Sequence, residues 1–385
     1  MCAVRSEGAR SSNLRRNTPG CRIDLAPARR ARILVGFLAL TGEGTRVTTP
    51  ITLARDAEPF SAEAIDAHVA SVAAGLRARV FERIANIPLP VDDPSLVIDA
   101  LSGGKHLRAR TLFLIAHSFG RPDPRFAADA AVALELLHTA SLVHDDIIDG
   151  SRFRRGLPSL HSAADEATAI LIADLLIAVA FETAAVLGER AVTPLARAFG
   201  QLCKGQLLEP TLEWGDKAQP EIEDYATLKT GGLFGAAFEL GAMAASCAPA
   251  LQDRFRKSGQ RLGLAFQLTD DLLDVRDDAL NLGKDHGADL RNGVPTLPLW
   301  NAYRHLVDLG ETRSASDPSL RDRLADEAGS DRTLSYTKKR ICALVEESRT
   351  LLPPANQPRA LDLTVDTVMA NLDQFSSTDC ESDFP

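Results

Sequence analysis

Apolar residues recur at three- and four-residue spacing along most of this chain, which is the pattern of helices with one buried face. The spacing predicts helices over residues 64–87, 107–119, 124–149, 166–187, 194–208, 222–245, 252–274, 334–352 and 361–375. A short helix over 96–101 is predicted after the turn-forming run Asp92-Asp93-Pro94-Ser95. Alternating apolar and polar positions, which indicate strands, are nearly absent. The pattern therefore predicts an all-α protein.

Two stretches within the predicted helices lack a polar face. Residues 127–143 and 262–275 are apolar nearly all round, which places them at the centre of a helical bundle. Residues 310–331 are charged and poor in apolar side chains, so we expect a surface excursion there. We find no run of about eighteen apolar residues without a charge in the sequence. We therefore expect no transmembrane helix and no stable membrane insertion.

The N-terminal segment differs in charge from the rest of the chain. Its 57 residues contain ten arginines, no lysine and four acidic residues, whereas the whole chain of 385 residues has a net charge of −9. We expect residues 1–57 to be a disordered extension, residues 58–376 to form a single domain, and residues 377–385 to be a tail. The negative charge of the remainder argues against a nucleic-acid-binding protein. The scattered cysteines, without a C-x-x-C pair, favour a reducing, cytoplasmic location.

Three aspartates end one of the central helices, and the same arrangement occurs a second time. The two triplets are Asp145, Asp146 and Asp149, and Asp270, Asp271 and Asp274. The first and last members of each triplet lie on one helix face, where like charges repel. A solvated acidic helix end is the simpler interpretation, but apolar residues flank both triplets, and burying unpaired carboxylates is costly. Such hard oxygen ligands suit magnesium, which combines a few carboxylates with water and phosphate oxygens.

Cationic residues accompany these triplets. The segment Gly103-Gly104-Lys105, with Arg108, opens a predicted helix, where free backbone N–H groups and two cations favour an anion. Further candidates are Arg152, Arg154 and Arg155 after the first triplet, Lys229-Thr230, and Gly283-Lys284 after the second. His138 lies two turns before Asp145, although a lone histidine is more often a core residue. Each group alone is typical of a solvated turn, but together they indicate a site for a diphosphate.

In this order, these stretches resemble the trans-isoprenyl diphosphate synthases, or polyprenyl synthetases. The matching runs are Gly103-Gly104-Lys105-x-x-Arg108, Glu135-Leu136-Leu137-His138-Thr139-Ala140-Ser141-Leu142-x-His144-Asp145-Asp146-x-x-Asp149, Arg154-Arg155-Gly156-x-Pro158, Lys229-Thr230, Phe266-Gln267-x-x-Asp270-Asp271-x-x-Asp274 and Gly283-Lys284. They span roughly residues 57–352. The resemblance implies an isoprenoid-synthase-type bundle of long helices around a central apolar cavity. It also implies the head-to-tail trans condensation of isopentenyl diphosphate with an allylic diphosphate.

The resemblance also implies roles for individual residues. Magnesium would be held by Asp145, Asp146, Asp149, Asp270, Asp271 and Asp274. Isopentenyl diphosphate would be bound by Lys105, Arg108, His138 and Arg155. The allylic diphosphate would be bound by Arg154, Lys229, Thr230, Gln267 and Lys284. The residues expected at the reacting centre are Asp145, Asp149, Lys229, Gln267 and Asp270. Magnesium would neutralise the leaving diphosphate, and no protein nucleophile is needed.

The chain departs from the family pattern at a few positions. Val294 stands where a lysine is common, Ala173 where a glycine is usual, and His106 where an arginine is frequent. We expect these changes to alter affinity and turnover rather than the reaction class.

Small residues precede the first triplet where the growing chain would enter a tunnel. Ala140 and Ser141 lie five and four residues before Asp145. In enzymes of this family an aromatic residue here would close the tunnel near fifteen carbons, so we expect a product of at least twenty carbons. Leu137, Leu134 and the facing residues 170–177 are candidates for a deeper floor. Close helix packing is the alternative reason for small residues at these positions.

Other interpretations remain open at this point. The product could be geranylgeranyl diphosphate specifically. A class I terpene cyclase would carry a different second metal motif and would not need the Gly-Gly-Lys and Arg-Arg-Gly elements. A subunit of a heteromeric prenyltransferase would need its partner for turnover, although a non-catalytic one would be expected to lose its aspartates. A helical scaffold with acidic patches would bind magnesium without any dependence on diphosphate. A homodimer is implied by the resemblance.

Overall fold

The structure is a computed structural model that describes residues 61–84, 104–215, 218–275, 287–310 and 320–370. All of these residues belong to one structural unit, Arg55–Pro385. The predictions for residues 1–57, the helix at 96–101, Gly103, Gly283-Lys284 and the tail at 377–385 lie outside the described residues.

The first half of the described chain is helical apart from one small hairpin. Its helices are α1 (Ala62–Ile84), α2 (Leu107–Phe119), α3 (Pro124–Ile148), α4 (Leu160–Ala163), α5 (Glu166–Ala185) and α6 (Glu189–Leu208). Helix α3 starts where the Asp123 carboxylate accepts the N–H of Arg125, and α5 starts where Asp165 accepts the N–H of Thr168. Helix α6 begins five residues before Pro194, the predicted start, so proline does not mark its first turn.

The second half adds a wide helical turn and several helices. A π-helix, Thr227–Gly231, joins α7 (Ala218–Ala226) to α8 (Gly232–Ala244). The remaining helices are α9 (Pro249–Asp274), α10 (Ala288–Asn292), α11 (Leu297–Asp308), α12 (Leu320–Ala328), α13 (Asp331–Leu351) and α14 (Pro358–Met369). The predicted surface excursion at 310–331 is wrong for α12, because Leu320, Leu324 and Ala328 are buried against α11.

A two-stranded antiparallel hairpin interrupts the helices directly after α3. Strand β1 (Phe153–Arg154) pairs with β2 (Leu157–Pro158) through a turn at Arg155 and Gly156, whose φ angles are 56° and 78°. Two successive positive φ values match the tight turns that join antiparallel strands. The strands are too short to show an alternating pattern, so the sequence does not reveal them.

Helix α8 lies at the centre of the bundle. All 13 of its residues are buried. One side of α8 packs in a cluster with α1, α2, α3, α5 and α6, and the other side packs in a cluster with α9, α13 and α14. The two predicted central stretches, in α3 and α9, are also largely buried. The bundle therefore positions the C-terminal ends of α3 and α9, where the aspartate triplets lie.

Two of the described helices are long and apolar enough to satisfy a length and hydropathy test for membrane spans. They are Pro124–Ile148 and Glu166–Ala185, and 72% and 44% of their most apolar windows are buried inside the structure. The core helix of a bundle satisfies the same test, so this finding is weak evidence for a membrane span.

Candidate active site

A cavity of about 520 Å³ collects most of the predicted site residues. We call it the central cavity. The predicted residues that line it are Lys105, Arg108, His138, Ser141, Asp145, Arg154, Arg155, Lys229, Thr230, Gln267 and Asp270. Asp146, Asp149, Asp271, Asp274, Ala140 and Leu137 are not part of this lining. The structure therefore brings members of both triplets together with the predicted cations.

The first triplet lies at the C-terminal end of α3. The backbone N–H of Asp149 donates to the Asp145 carbonyl at 2.8 Å and closes the last turn. A helix C-terminus carries partial negative charge, which disfavours carboxylates there unless a cation is supplied. Burial raises the pKa of Asp145 to about 6 against the opposing effect of Lys229, and burial also raises the pKa of Asp149. Burial therefore disfavours the charged form of these carboxylates, which a bound cation would stabilise.

The middle member of this triplet is engaged by an arginine. Asp146 is only 3% exposed. The Nε of Arg154 donates to its two carboxylate oxygens at 2.7 and 2.8 Å, and a guanidinium Nη lies 2.7 Å from Oδ1. Arg154 stands on the hairpin that follows α3, so this pair fixes the hairpin against the helix. The contact differs from the metal-ligand role predicted for Asp146.

The second triplet lies at the C-terminal end of α9, and its middle member is again engaged by the protein. The Nε2 of Gln267 donates to Asp271 at 2.8 Å, and the Thr230 hydroxyl donates to Oε1 of Gln267 at 2.5 Å. Burial and the nearby Asp289 raise the pKa of Asp271 well above its usual value. This chain of hydrogen bonds orients Gln267 and Thr230 at the cavity wall.

Lys229 and Thr230 lie on the π-helix between α7 and α8. A π-turn is wider than an α-turn and is found frequently at functional sites. The backbone at Lys229 passes very close to α6: a Cβ atom at Gly205 would lie 2.6 Å from the Lys229 nitrogen. Glycine at position 205 therefore allows this approach.

The structure adds two acidic residues that the sequence analysis did not single out. Glu209 binds the Lys229 ammonium and accepts the Tyr225 hydroxyl at 2.5 Å. The N–H of Asp289 donates to Oδ2 of Asp274 at 3.2 Å. Burial, with repulsion from Asp274 and Glu209, raises the pKa of Asp289 to about 7. Both are lone acids outside any repeated pattern, and only the fold reveals their position.

The donor set is suited to a hard divalent cation that also takes ligands from a substrate. Within the described ranges, no group of three or more histidine, cysteine, aspartate or glutamate side chains could hold a metal ion by itself. Magnesium commonly uses one or two carboxylates and completes its octahedron with water and phosphate oxygens. The residues placed to contribute are Asp145, Asp149, Asp270, Asp274 and Asp289.

The opposite part of the central cavity is cationic. The Nη1 of Arg108 donates to Nε2 of His138 at 2.9 Å, and the guanidinium lies 5.0 Å from the centre of the Phe234 ring. Burial lowers the pKa of Arg108 to about 10 and, with the neighbouring arginines, holds the pKa of His138 well below its usual range. His138 is therefore a neutral acceptor. The buried Nε of Arg108 has no hydrogen-bond partner within the structure, which leaves a donor for a ligand.

The residues predicted to set product length are divided between core and cavity. Ser141 lines the central cavity, whereas Ala140, Leu137 and Leu134 are fully buried in the apolar core below it. In the facing helix α5, Ile172 and Leu176 are buried in the same cluster. Ile170 and Leu171 of the same helix are 42% and 68% exposed, so within this single chain only the buried face of residues 170–177 could contribute to a tunnel floor.

Comparisons with known proteins show which family the chain resembles. Residues 95–327 match the family model described as polyprenyl synthetase. The chain is 37% identical over 251 residues to a geranylgeranyl diphosphate synthase of Rhodobacter capsulatus, which covers 59% of this chain and 83% of that protein. It is 38% identical over 208 residues to a nonaprenyl diphosphate synthase of Mycobacterium tuberculosis, over 53% of this chain and 61% of that protein's length.

The fold is likewise similar to solved structures. A decaprenyl diphosphate synthase from Rhodobacter capsulatus superimposes with a TM-score of 0.67 at 25% identity, covering 81% of this chain and 98% of that one. The order of the motifs, the cavity that unites them and the family match over more than half of the chain lead to one conclusion: this chain belongs to the polyprenyl synthetase family.

Proposed function

We propose that this protein elongates prenyl chains by magnesium-dependent, head-to-tail trans condensation of isopentenyl diphosphate with an allylic diphosphate. The observation that supports this most is the central cavity, where Asp145 and Asp270 from the two triplets face a cationic wall that includes Arg108. Both substrates are diphosphates that need positive charge: the cationic wall supplies it directly to one, and the aspartates would supply it to the other through bound magnesium. We propose a product of twenty carbons or more.

The two parts of the cavity suit the two substrates. Lys105, Arg108 and Arg155 supply positive charge directly to the diphosphate of isopentenyl diphosphate. Lys229 and Arg154 stand beside the triplets, where the allylic diphosphate would bind together with magnesium. Magnesium, when bound, supplies the charge that stabilises the leaving diphosphate. Asp145, Asp149, Asp270 and Asp274 would hold it.

The protein's own contribution is placement. Thr230 and Gln267 are held by their mutual hydrogen bond at the wall between the triplets and the cationic part of the cavity. Holding two reactants in line lowers the entropic barrier to their reaction. The released diphosphate can accept the proton lost after carbon–carbon bond formation, so no side chain is required as a base.

We propose that the active form is a homodimer. Leu171 on α5 and Leu207 on the adjacent α6 are 68% and 77% exposed, and Ile170 adds to the apolar surface. Large exposed apolar side chains on neighbouring helices are typical of surfaces that contact a partner. A second copy of this chain is the partner we propose for this surface.

The test is incubation of the purified chain with magnesium, isopentenyl diphosphate and, separately, dimethylallyl, geranyl, farnesyl or geranylgeranyl diphosphate. The products are dephosphorylated and separated by chromatography. A ladder of alcohols that stops at one length is the expected result. A cyclic hydrocarbon would favour a terpene cyclase instead, and a lack of product with every primer would favour a subunit that needs a partner.

A further inference from the structure

A buried carboxylate lies in the wall of the central cavity, on the core helix α3. Glu135 is 3% exposed and precedes His138 by one turn. Its Oε1 accepts the backbone N–H of Ala109 at 2.9 Å, and its Oε2 accepts Nδ1 of His106 at 3.1 Å. The mechanism proposed above does not use this residue, yet both of its contacts reach the segment that carries Arg108.

The start of α2 depends on this contact. His106 adopts left-handed backbone angles, φ 45° and ψ 46°, and its own side chain does not cap the helix. A helix start leaves several backbone N–H groups without partners, and a carboxylate near them is favourable. Glu135 supplies that carboxylate from a different helix. One side chain therefore holds this segment at two points, the imidazole of His106 and the backbone N–H of Ala109.

Helix α3, which carries Glu135, also holds the side chain of Arg108. Arg108 lies between His106 and Ala109 in sequence, and its guanidinium donates to His138, one turn beyond Glu135 on α3. The carboxylate of Glu135 also offsets the cost of burying positive charge here, because it opposes the lowering of the pKa values of Arg108 and Arg155. Glu135 thus acts on both the geometry and the charge of the cationic wall.

We propose that Glu135 is a positioning residue for isopentenyl diphosphate: it holds the segment from His106 to Ala109 so that Lys105 and Arg108 meet the diphosphate. His106, which stands where an arginine is frequent, is its side-chain partner in this chain. This inference rests on the proposed function for the identity of the ligand. Although Glu135 lines the cavity, both of its carboxylate oxygens have protein partners, so it would act through its neighbours rather than as a ligand of the substrate.

The experiment compares Glu135→Ala and Glu135→Gln by steady-state kinetics, with each substrate varied in turn. Glu135→Ala removes both contacts, so the KM for isopentenyl diphosphate should rise roughly tenfold or more. The KM for the allylic diphosphate should change less than about twofold. Glutamine can still accept the Ala109 N–H and donate to the other tautomer of His106, so Glu135→Gln should stay within about threefold of the wild type.

A double-mutant cycle isolates the His106 contact. His106→Ala should raise the KM for isopentenyl diphosphate a few-fold in the wild type and very little in the Glu135→Ala background, because the contact is already lost there. The matched control is Glu239→Ala. Glu239 is another buried carboxylate, on α8, and pairs with Arg197 at 3.1 Å. Glu239→Ala should lower the melting temperature without changing the ratio of the KM for isopentenyl diphosphate to the KM for the allylic diphosphate.

Equal rises of both KM values in folded Glu135→Ala, or no change in either, would overturn the proposal. Calorimetric titration with isopentenyl diphosphate alone tests the positioning role of Glu135 separately from the proposed chain elongation. If the wild type forms no product but binds this ligand, and Glu135→Ala binds it at least tenfold more weakly, the positioning role stands and chain elongation fails. If the wild type elongates chains and the variant binds isopentenyl diphosphate normally, the positioning role fails.

Discussion

At the scale of single residues, the members of each aspartate triplet differ in their contacts. The middle aspartates, Asp146 and Asp271, are buried and receive hydrogen bonds from Arg154 and Gln267. A carboxylate that accepts two charge-assisted hydrogen bonds from an arginine is poorly available to a metal ion. The middle position of the triplet thus serves to orient a substrate-binding side chain, and the first position of each triplet, Asp145 or Asp270, lines the cavity.

Asp146→Asn tests this division. The variant should raise the KM for the allylic diphosphate roughly tenfold, because Arg154 loses a bidentate partner, while the magnesium concentration that gives half-maximal rate should stay unchanged. Arg154→Gln should reproduce the effect. Asp149→Asn serves as the contrast and should shift the magnesium dependence. A shift of the magnesium dependence in Asp146→Asn would instead support a metal ligand.

His138 predicts a dependence of stability on pH. Its pKa is lower in the folded protein than its usual value of 6.5, chiefly because it is buried. The unfolded chain therefore binds more protons below pH 6.5, and the free energy of unfolding should fall as the pH decreases from 6.5. The slope should approach about 1.4 kcal/mol per pH unit for one such group. Denaturant titrations at several pH values measure it.

His138→Gln should remove this part of the slope, because glutamine still accepts from Arg108 but does not titrate. His117 has a pKa that burial also lowers, so His117→Gln is the matched comparison. An unchanged slope in His138→Gln would mean that His138 is not the group responsible.

Ala140→Phe tests the assignment of product length. Ala140 is fully buried directly before Ser141, which lines the cavity. A phenyl ring there would fill space below the cavity, at a cost to stability of about 1–3 kcal/mol for overpacking. Chromatography of the products should show a shorter longest alcohol. A product of unchanged length from the folded variant would place the tunnel elsewhere.

The sequence predicts the site residues whose chemistry repeats in a short motif, and it misses those whose role depends on the fold. Both triplets, Lys229 and Gln267 carry their signal in neighbouring residues. Glu209 and Asp289 are lone acids that reach the site only because a 3-10 turn and a short helix begin there. Glu135 lies within a recognisable motif, but its bond to the Ala109 N–H joins residues 26 positions apart.

At the scale of elements, apolar periodicity predicts the long helices well and the short ones poorly. Helices α3, α5 and α9 differ from their predicted ranges by a few residues at their ends. Helix α12 was missed because only three of its nine residues are buried, and the charged remainder hides the period. The predicted helix over 222–245 is in fact α7, the π-turn and α8, because a single extra residue in a turn leaves no signal in the pattern.

Gly205→Ala tests the contact between α6 and the π-turn. The added Cβ would lie 2.6 Å from the Lys229 nitrogen, so the backbone must shift and displace the Lys229 side chain. We expect a lower melting temperature and a KM for the allylic diphosphate raised roughly tenfold or more. Gly200→Ala, on the same helix, is the control because its Cβ would meet nothing within 4 Å.

Gly200→Ala should instead stabilise the protein slightly, by up to about 1 kcal/mol, since alanine is the better helix former. If the two variants had the same melting temperature and the same KM for the allylic diphosphate, the close approach at Gly205 would not be needed to position Lys229.

At the scale of the whole molecule, each triplet ends a different long helix, and α8 packs between the two groups of helices that carry them. The cavity therefore depends on the packing of both groups against one apolar helix. A surface change far from the cavity should leave its geometry intact unless it alters the association of two chains.

Leu171→Glu tests that association. A carboxylate on the exposed apolar face of α5 should reduce the molar mass measured by light scattering from that of a dimer to that of one chain, because burying an unpaired charge is unfavourable. Leu309, which is 57% exposed at the end of α11, provides the control Leu309→Glu. A wild-type chain that is already monomeric would contradict the homodimer.

The π-turn also limits how this stretch can change in length. Deleting one residue between 227 and 231 would convert it to an ordinary α-turn and rotate α7 about 100° relative to α8. Glu223 on α7 would then leave Arg340 of α13, which it now meets at 2.7 Å, or α8 would turn its packed face away from α9. A substitution in the π-turn changes one side chain, but the deletion of a single residue would rotate α7 and α8 relative to each other, so that they could not both keep their present contacts.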